Sequence, residues 1–316
     1  MNYLLPKSVI CLRDYSWQKL TSDLIAGVTV GLVALPLAMA FAISSGVSPQ
    51  AGIYTAVVAG FLISALGGSK TQIGGPTGAF VVIIYEIVAK YGINGLCICM
   101  LMAGLILLIL GLTGLGKAVK FIPRPVIVGF TNGIAVLIAS TQLKDYFGLT
   151  IDKVPGEFVG RLEALATHIS TISWRATLLA SAAIIVIVLF RKFVRRIPAY
   201  IVALVLGTVI VAITGLSVET IGTRFGGIPT GLPSFTVPHF EFSMIEALLP
   251  SAVTVALLGA IESLLSAVVS DRMSGDKHDP SVELVAQGIA NLASPFFGGI
   301  PATGAIARTA TNIRSG

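Results

Sequence analysis

Glu262 is the one acidic residue between Glu246 and Asp271, inside the run Leu257-Leu258-Gly259-Ala260-Ile261-Glu262-Ser263-Leu264-Leu265-Ser266. A carboxylate in an apolar run suits uptake of a proton or a cation, and Ser266, one helical turn on, shares its face. A structural carboxylate hydrogen-bonded to a neighbouring helix is the plainer reading of the same residues. Arg308 is the matching positive charge, one turn into a short apolar stretch over 302–314. Helical side chains lean toward the N-terminus, so Arg308 is expected to lean toward the start of that stretch. The alternative is an arginine snorkelling from a helix end.

Two similar sequences precede short apolar stretches: Gly74-Gly75-Pro76-Thr77-Gly78-Ala79-Phe80 and Gly298-Gly299-Ile300-Pro301-Ala302-Thr303-Gly304-Ala305. Pro suits the first turn of a helix, Thr can cap it, and Gly lets a ligand approach the backbone. A helix N-terminus offers free N–H groups and about half a positive charge. Two such ends facing each other would make an anion site from Pro76, Thr77, Gly78, Ala79, Thr303, Gly304 and Ala305, with Arg308 beside it. Taken singly, each motif favours a tight turn in a loop; as a repeated pair in short spans, the two favour the site.

Other chemistries lack their residues. Cys11, Cys97 and Cys99 form no C-x-x-C, and His168, His239 and His278 form no H-E-x-x-H. Gly111-x4-Gly116-Lys117 approaches a phosphate-binding loop, but Ala118 follows where Ser or Thr is needed. With no nucleophile–base pair and no metal cluster, the expectation is a protein that is not an enzyme and carries no cofactor.

The elements that must hold these residues are membrane helices. Of 316 residues 55% are hydrophobic and only 11% charged, with a mean hydropathy of +0.92; soluble domains carry about 25% charge. The net charge of +6 sits between apolar runs, so it reads as membrane topology rather than nucleic-acid binding. Apolar runs of spanning length fall at about 24–46, 51–67, 94–114, 125–143, 174–191, 198–215 and 244–270, with shorter ones at 76–89, 283–296 and 302–314. With the N-terminus in the cytoplasm, Lys7, Arg13, Lys19, Lys70, Lys117, Lys120, Arg124, Arg191, Lys192, Arg195, Arg196, Arg272 and Lys277 fall inside, whereas the outside holds Lys90, Lys144, Lys153, Arg161, Arg175 and Arg224. The small-residue stripes Gly60, Ser64, Gly68 and Gly129, Gly133 suit close helix packing.

Ala26-Gly27-Val28-Thr29-Val30-Gly31-Leu32 resembles Ser251-Ala252-Val253-Thr254-Val255-Ala256-Leu257, an offset of 225, and aligning Gly78 with Gly304 gives 226. Seven crossings separate the two units, so the second enters from the opposite face, an inverted repeat of the kind found in secondary transporters. The shortest segments occupy corresponding positions in the two units, which points to the binding site.

These residues resemble the SulP (sulfate permease) family of anion transporters. The resemblance rests on Pro49-Gln50-Ala51-Gly52-Ile53-Tyr54-Thr55-Ala56, Gly67-Gly68-Ser69-Lys70 and the two Pro/Thr/Gly motifs. It implies an all-α polytopic membrane fold of two inverted seven-segment repeats. Segments one to four and eight to eleven form a core, and five to seven and twelve to fourteen a gate, which move as an elevator. On this reading 1–23 is a cytoplasmic lead, 24–225 the first repeat and 226–316 part of the second. The chain is then truncated after the tenth segment, lacking four segments and a STAS domain. The resemblance places Arg308 on the anion-site arginine and Glu262 on the eighth-span acid. Many members carry Gln where Leu37 follows Pro36, so one polar substrate contact is replaced. The expected function is secondary active transport of a sulfate-like or dicarboxylate anion in a bacterial inner membrane, coupled to protons. Sodium-coupled bicarbonate transport is the alternative, and a non-transporting scaffold or inactive fragment the reading of another class. Expected partners are the anion, protons or sodium, the lipid bilayer and a second copy in a homodimer, with no nucleic acid.

Overall fold

The computed structural model describes residues 5–116, 124–151, 154–155, 157–194, 199–227, 231–238 and 241–315. Lys117, Ala118, Lys120, Lys153, Arg195, Arg196 and His239 lie outside the described residues. The helices are α1 (Lys7–Leu12), α2 (Trp17–Ser44), α3 (Pro49–Leu66), α4 (Val81–Leu112), α5 (Arg124–Phe147), α6 (Phe158–Thr167), α7 (Trp174–Phe193), α8 (Ala199–Thr214), α9 (Ile221–Phe225), α10 (Ile245–Ser274), α11 (Pro280–Ala293) and α12 (Ile306–Ser315). Two short strands, β1 (Gly74–Gly75) and β2 (Thr303–Gly304), complete the set.

Each apolar run contributes helix. The runs at 76–89 and 94–114 both lie in α4, which breaks at Gly92 (φ 69°, ψ −171°), a backbone geometry open to glycine and costly for other residues. Among the described residues, five helical stretches are long and apolar enough to cross a membrane: Trp17–Ser44, Pro49–Leu66, Gly78–Leu112, Trp174–Phe193 and Ile245–Ser274. The amphipathic or short helices α1, α6 and α9 carry no spanning run and were not foreseen. Local chemistry sets the ends. Ser16 caps α2 by accepting from the Lys19 N–H. Asp279 caps α11 by accepting from Ser281 and Val282, with Pro280 in the first turn, where its missing N–H is no loss.

The chain forms two compact units, Met1–Gly129 with Thr230–Gly316, and Phe130–Pro229. Their membership follows the segments that the resemblance groups as core and gate. In the first unit α4 packs against α10 and α11, α3 against α2 and α11, and α12 against α2 and α10. Phe80, Ile84, Leu96, Met100, Leu107, Leu248, Leu264 and Leu284 are its buried centre. Glycines let α4 and α11 approach closely: a Cβ on Gly288 would stand 2.9 Å from the Gly104 carbonyl oxygen, and one on Gly111 2.8 Å from the Val285 nitrogen. The stripes expected from spacing behave differently. Gly60 admits β1, Gly68 lies beyond the end of α3, and among the described residues a Cβ on Gly129 or Gly133 would meet nothing within 4 Å. Spacing alone does not specify which neighbour a small face receives.

In the second unit α7 packs on α8. Arg161, buried, donates to Ser140 Oγ at 2.9 Å, and Lys144 Nζ donates to the Ile151 carbonyl at 2.7 Å. Leu178, Ile185, Val188, Leu204 and Ile213 remain exposed. An apolar surface of this extent suits contact with lipid rather than water.

Candidate functional site

β1 and β2 pair antiparallel, Gly74 opposite Gly304 and Gly75 opposite Thr303. Continuing that register by one residue sets Pro76 opposite Ala302, positions 226 apart, the offset of the repeat. Equivalent positions of the two sequence repeats therefore meet at this point, within the first compact unit. From the strand pair the chain runs one way into the turn Gly78–Phe80 and α4, and the other way into α12. Both helices thus direct their N-terminal ends toward the pair, each with free N–H groups and a partial positive charge.

The local conformation differs from the sequence expectation. Thr77 is extended and Pro76 lies outside any helix. Thr77 holds the N-cap position of the Gly78–Phe80 turn, but its hydroxyl makes no capping bond. It donates instead to Glu262 Oε2 at 2.7 Å. Pro301 likewise precedes β2, and the buried Thr303 hydroxyl donates to the Gly259 carbonyl at 2.8 Å. The backbones of the two motifs are engaged with each other, so the helices begin only beyond the strands. The hydroxyls then find their partners on α10.

Arg308 is 3% exposed and buried, and does not snorkel. Its Nη2 donates to the Pro76 carbonyl at 2.6 Å, while its Nε has no hydrogen-bond partner among the described residues. Arg308 and Glu262 therefore hold the adjacent residues Pro76 and Thr77. No ion pair within 4.0 Å joins them among the described residues, so neither charge is neutralised by direct contact with the other. Gly75 allows this arrangement: its φ is +150°, and a Cβ there would stand 2.3 Å from Arg308 Nη1. Ser266 is buried, 3.3 Å from Thr309 Oγ1, which accepts from the Ile73 N–H at 3.0 Å. The Ala305 N–H donates to the Ile73 carbonyl at 2.9 Å. Gly78 is buried and Ala79 half-buried. Leu37 is half-buried on α2 and takes no part in these bonds.

A set of buried polar residues supports this crossing and went unread in the sequence. Gln72 Nε2 donates to Ser263 Oγ (3.0 Å) and to the Ser263 carbonyl (3.1 Å). Asn291 accepts from the Ala302 N–H and donates to the Ala302 carbonyl, at 2.9 and 2.8 Å, as a strand neighbour would. Thr55 Oγ1 accepts from the Ile300 N–H at 2.7 Å. The available signal was a scatter of amide and hydroxyl residues in apolar runs, Glu283 and Gln287 standing four apart on one face of α11.

At the far end of α10, Asp276 lies 3.5 Å from Lys7 Nζ and 3.4 Å from Lys70 Nζ. Burial opposes ionisation of this carboxyl. The Lys277 backbone N–H, then Lys7 and Lys70, outweigh that and hold it below its usual range.

The sequence model of the Sulfate permease family matches residues 20–316. The chain is 48% identical to "Putative sulfate transporter YvdB" of Bacillus subtilis, over 96% of this chain and 58% of that protein. It is 34% identical to "Bicarbonate transporter BicA" of Picosynechococcus sp., over 95% of this chain and 54% of that protein. The chain thus spans little more than half the length of these curated relatives, which are named as transporters rather than enzymes. Its fold matches the transmembrane domain of a cyanobacterium bicarbonate transporter BicA with a TM-score of 0.85 and 36% identity, covering 96% of this chain and 78% of that one. It also matches murine Slc26a9 in the inward-facing state with a TM-score of 0.85 at 19% identity, a likeness of fold, covering 99% of this chain and 56% of that one. With an inverted-repeat helical fold and a family match that runs through both Pro/Thr/Gly motifs, the chain is a multi-pass membrane protein belonging to the sulfate permease family.

Proposed function

We propose that this chain forms the anion-binding part of a secondary active transporter for a small dianion, sulfate-like or dicarboxylate, coupled to protons. The observation that carries this reading is the crossing of the two repeats. Arg308 holds the Pro76 carbonyl and Glu262 holds the Thr77 hydroxyl, between two helix N-termini that direct N–H groups at the same place. Pro76, Thr77, Gly78, Ala79, Thr303, Gly304, Ala305 and Arg308 line the anion site, with Leu37 opposite. Glu262 and Ser266 carry the coupling. The repeats span 24–225 and 226 onward, and the unit bearing this crossing moves against the other as an elevator. The chain lies in a bacterial inner membrane with its N-terminus cytoplasmic and acts as a homodimer.

Sodium-coupled bicarbonate transport is the second reading, favoured by the 36% identity to the BicA transmembrane domain. One experiment separates these readings. The full-length product of the gene is reconstituted in proteoliposomes, and labelled sulfate, a C4-dicarboxylate and bicarbonate are offered under inward proton or sodium gradients. Proton-stimulated dianion uptake supports the proposal, and sodium-stimulated bicarbonate uptake supports the alternative. Uptake of neither supports a non-transporting scaffold.

A further inference from the structure

Beside the crossing lies a fully buried carboxylate that the anion site does not use. Glu283 is 0% exposed and ties three elements together. Its Oε2 accepts from the Gly68 N–H at 3.0 Å, in the turn after α3. Its Oε1 accepts from Ser263 Oγ of α10 at 3.1 Å and from Gln287 Nε2 of α11 at 3.0 Å. Among the described residues it has no ion pair. Three donors and no cation make a fixed acceptor, and its place in the first turn of α11 adds the favourable end of that helix.

Ser263 is the hub. Its hydroxyl also accepts from Gln72 Nε2 at 3.0 Å and Gln287 Nε2 at 2.9 Å, and all four residues are buried. Side-chain bonds from Thr71, Gln72 and Thr77 consequently join α10 to the segment around β1. Gln72 meets Ser263 at one end of the segment, and Thr77 meets Glu262 at the other. Ser263 and Glu262 are consecutive, so whatever fixes Ser263 fixes the rotation of α10 that presents Glu262 to Thr77. A core role alone would be served as well by an apolar side chain, since buried charge is costly. An acceptor for three donors on three elements is what locks a rotation.

We infer that Glu283, acting through Ser263, is a positioning residue for Glu262. This rests on reading Glu262 as the coupling carboxylate. The titratable groups near the pair are Arg308 from α12 beside Glu262, and His278, hydrogen-bonded to Asp271, on the side of Glu283. Glu283 touches neither the anion nor the proton carrier, and its effect is to hold Glu262 against the Pro76–Thr77 segment.

The test uses the full-length product in proteoliposomes, with sulfate as probe, and compares Ser263→Ala, Glu283→Gln, Glu262→Gln and the pair Ser263→Ala with Glu262→Gln. Ser263→Ala preserves helix propensity and leaves Glu283 its other two donors. The expected result is a several-fold fall in stimulation by an inward proton gradient, with the thermal midpoint held within a few degrees. Glu283→Gln should reproduce it, and the double variant should match Glu262→Gln alone. If proton stimulation survives while stability and total uptake fall together, or if the two effects multiply in the double variant, Glu283 is merely structural and the inference is overturned, with the coupling reading intact. If Glu262→Gln itself keeps full proton stimulation, the coupling reading falls and this inference falls with it.

Discussion

Arg308 and Glu262 spend their hydrogen bonds on neighbouring residues, Pro76 and Thr77, and not on each other. The buried Nε of Arg308 has no hydrogen-bond partner among the described residues. Arg308→Ala removes the donor to the Pro76 carbonyl, a loss of about 1–3 kcal/mol of stability, and with it the charge proposed to face the anion. Sulfate affinity should fall at least about tenfold, equal to about 1.4 kcal/mol, and Arg308→Lys should not restore it, because an ammonium lacks the fork that reaches two directions. Calorimetric sulfate titration beside thermal unfolding measures both effects; unchanged affinity in Arg308→Ala removes Arg308 from the site. Gly75→Ala is expected to act at the same place without touching the arginine. Its Cβ would stand 2.3 Å from Nη1, so the guanidinium must shift and sulfate affinity should fall as in Arg308→Ala. At this scale the charges were legible, because a lone acid or arginine in an apolar run stands out. Their partners were not, because a hydroxyl such as that of Thr77 serves a cap and a carboxylate equally well, and only the tertiary fold decides.

Among the elements, α1 is held by little surface and several polar bonds. The Lys7 N–H donates to the Gly67 carbonyl at 3.0 Å, and Lys7 and Lys70 flank Asp276. Lys70 is 43% exposed, so the ion pairs are screened and worth at most about 1 kcal/mol. The folded protein holds Asp276 below its usual carboxylate range. Its contribution is therefore complete above the unfolded value near 3.8 and is lost as pH falls through the lower folded value. Amide exchange over residues 7–12 should be slow and constant between about pH 5 and 7, after correction for intrinsic rates, and accelerate below about pH 4. Asp276→Asn should raise it a few-fold already at neutral pH; exchange insensitive to this change would show that the backbone bonds alone hold α1. The spanning helices were legible as runs, and the break at Gly92 as the gap between two of them. The helices α1 and α6 were not, since short amphipathic segments lack a run. The repeat foretold that residues near 76 and 302 would correspond, but the antiparallel strand between them depends on backbone pairing that no side-chain pattern encodes.

For the whole molecule, charge arithmetic decides which coupling is economical. Two helix N-termini supply about +1 between them, and Arg308 adds one more. Ionised Glu262 brings the crossing to about +1, suited to a monoanion; protonated Glu262 leaves about +2, suited to sulfate or a dicarboxylate. Loading the dianion with a proton keeps the carrier's total charge steadier between loaded and empty states, which favours moving such a site across an apolar barrier. One proton per dianion, with the membrane potential clamped at zero, permits about tenfold accumulation per unit of inward pH gradient. Glu262→Gln imitates the protonated form and should still exchange sulfate for sulfate, while net accumulation no longer responds to the gradient. The measurement is labelled-sulfate uptake into proteoliposomes at a series of external pH values, with exchange followed in parallel at symmetrical pH. Full proton-driven accumulation by Glu262→Gln would place coupling on another group. Accumulation driven by sodium alone would instead make the crossing a monoanion site with Glu262 ionised, and would move the assignment to bicarbonate.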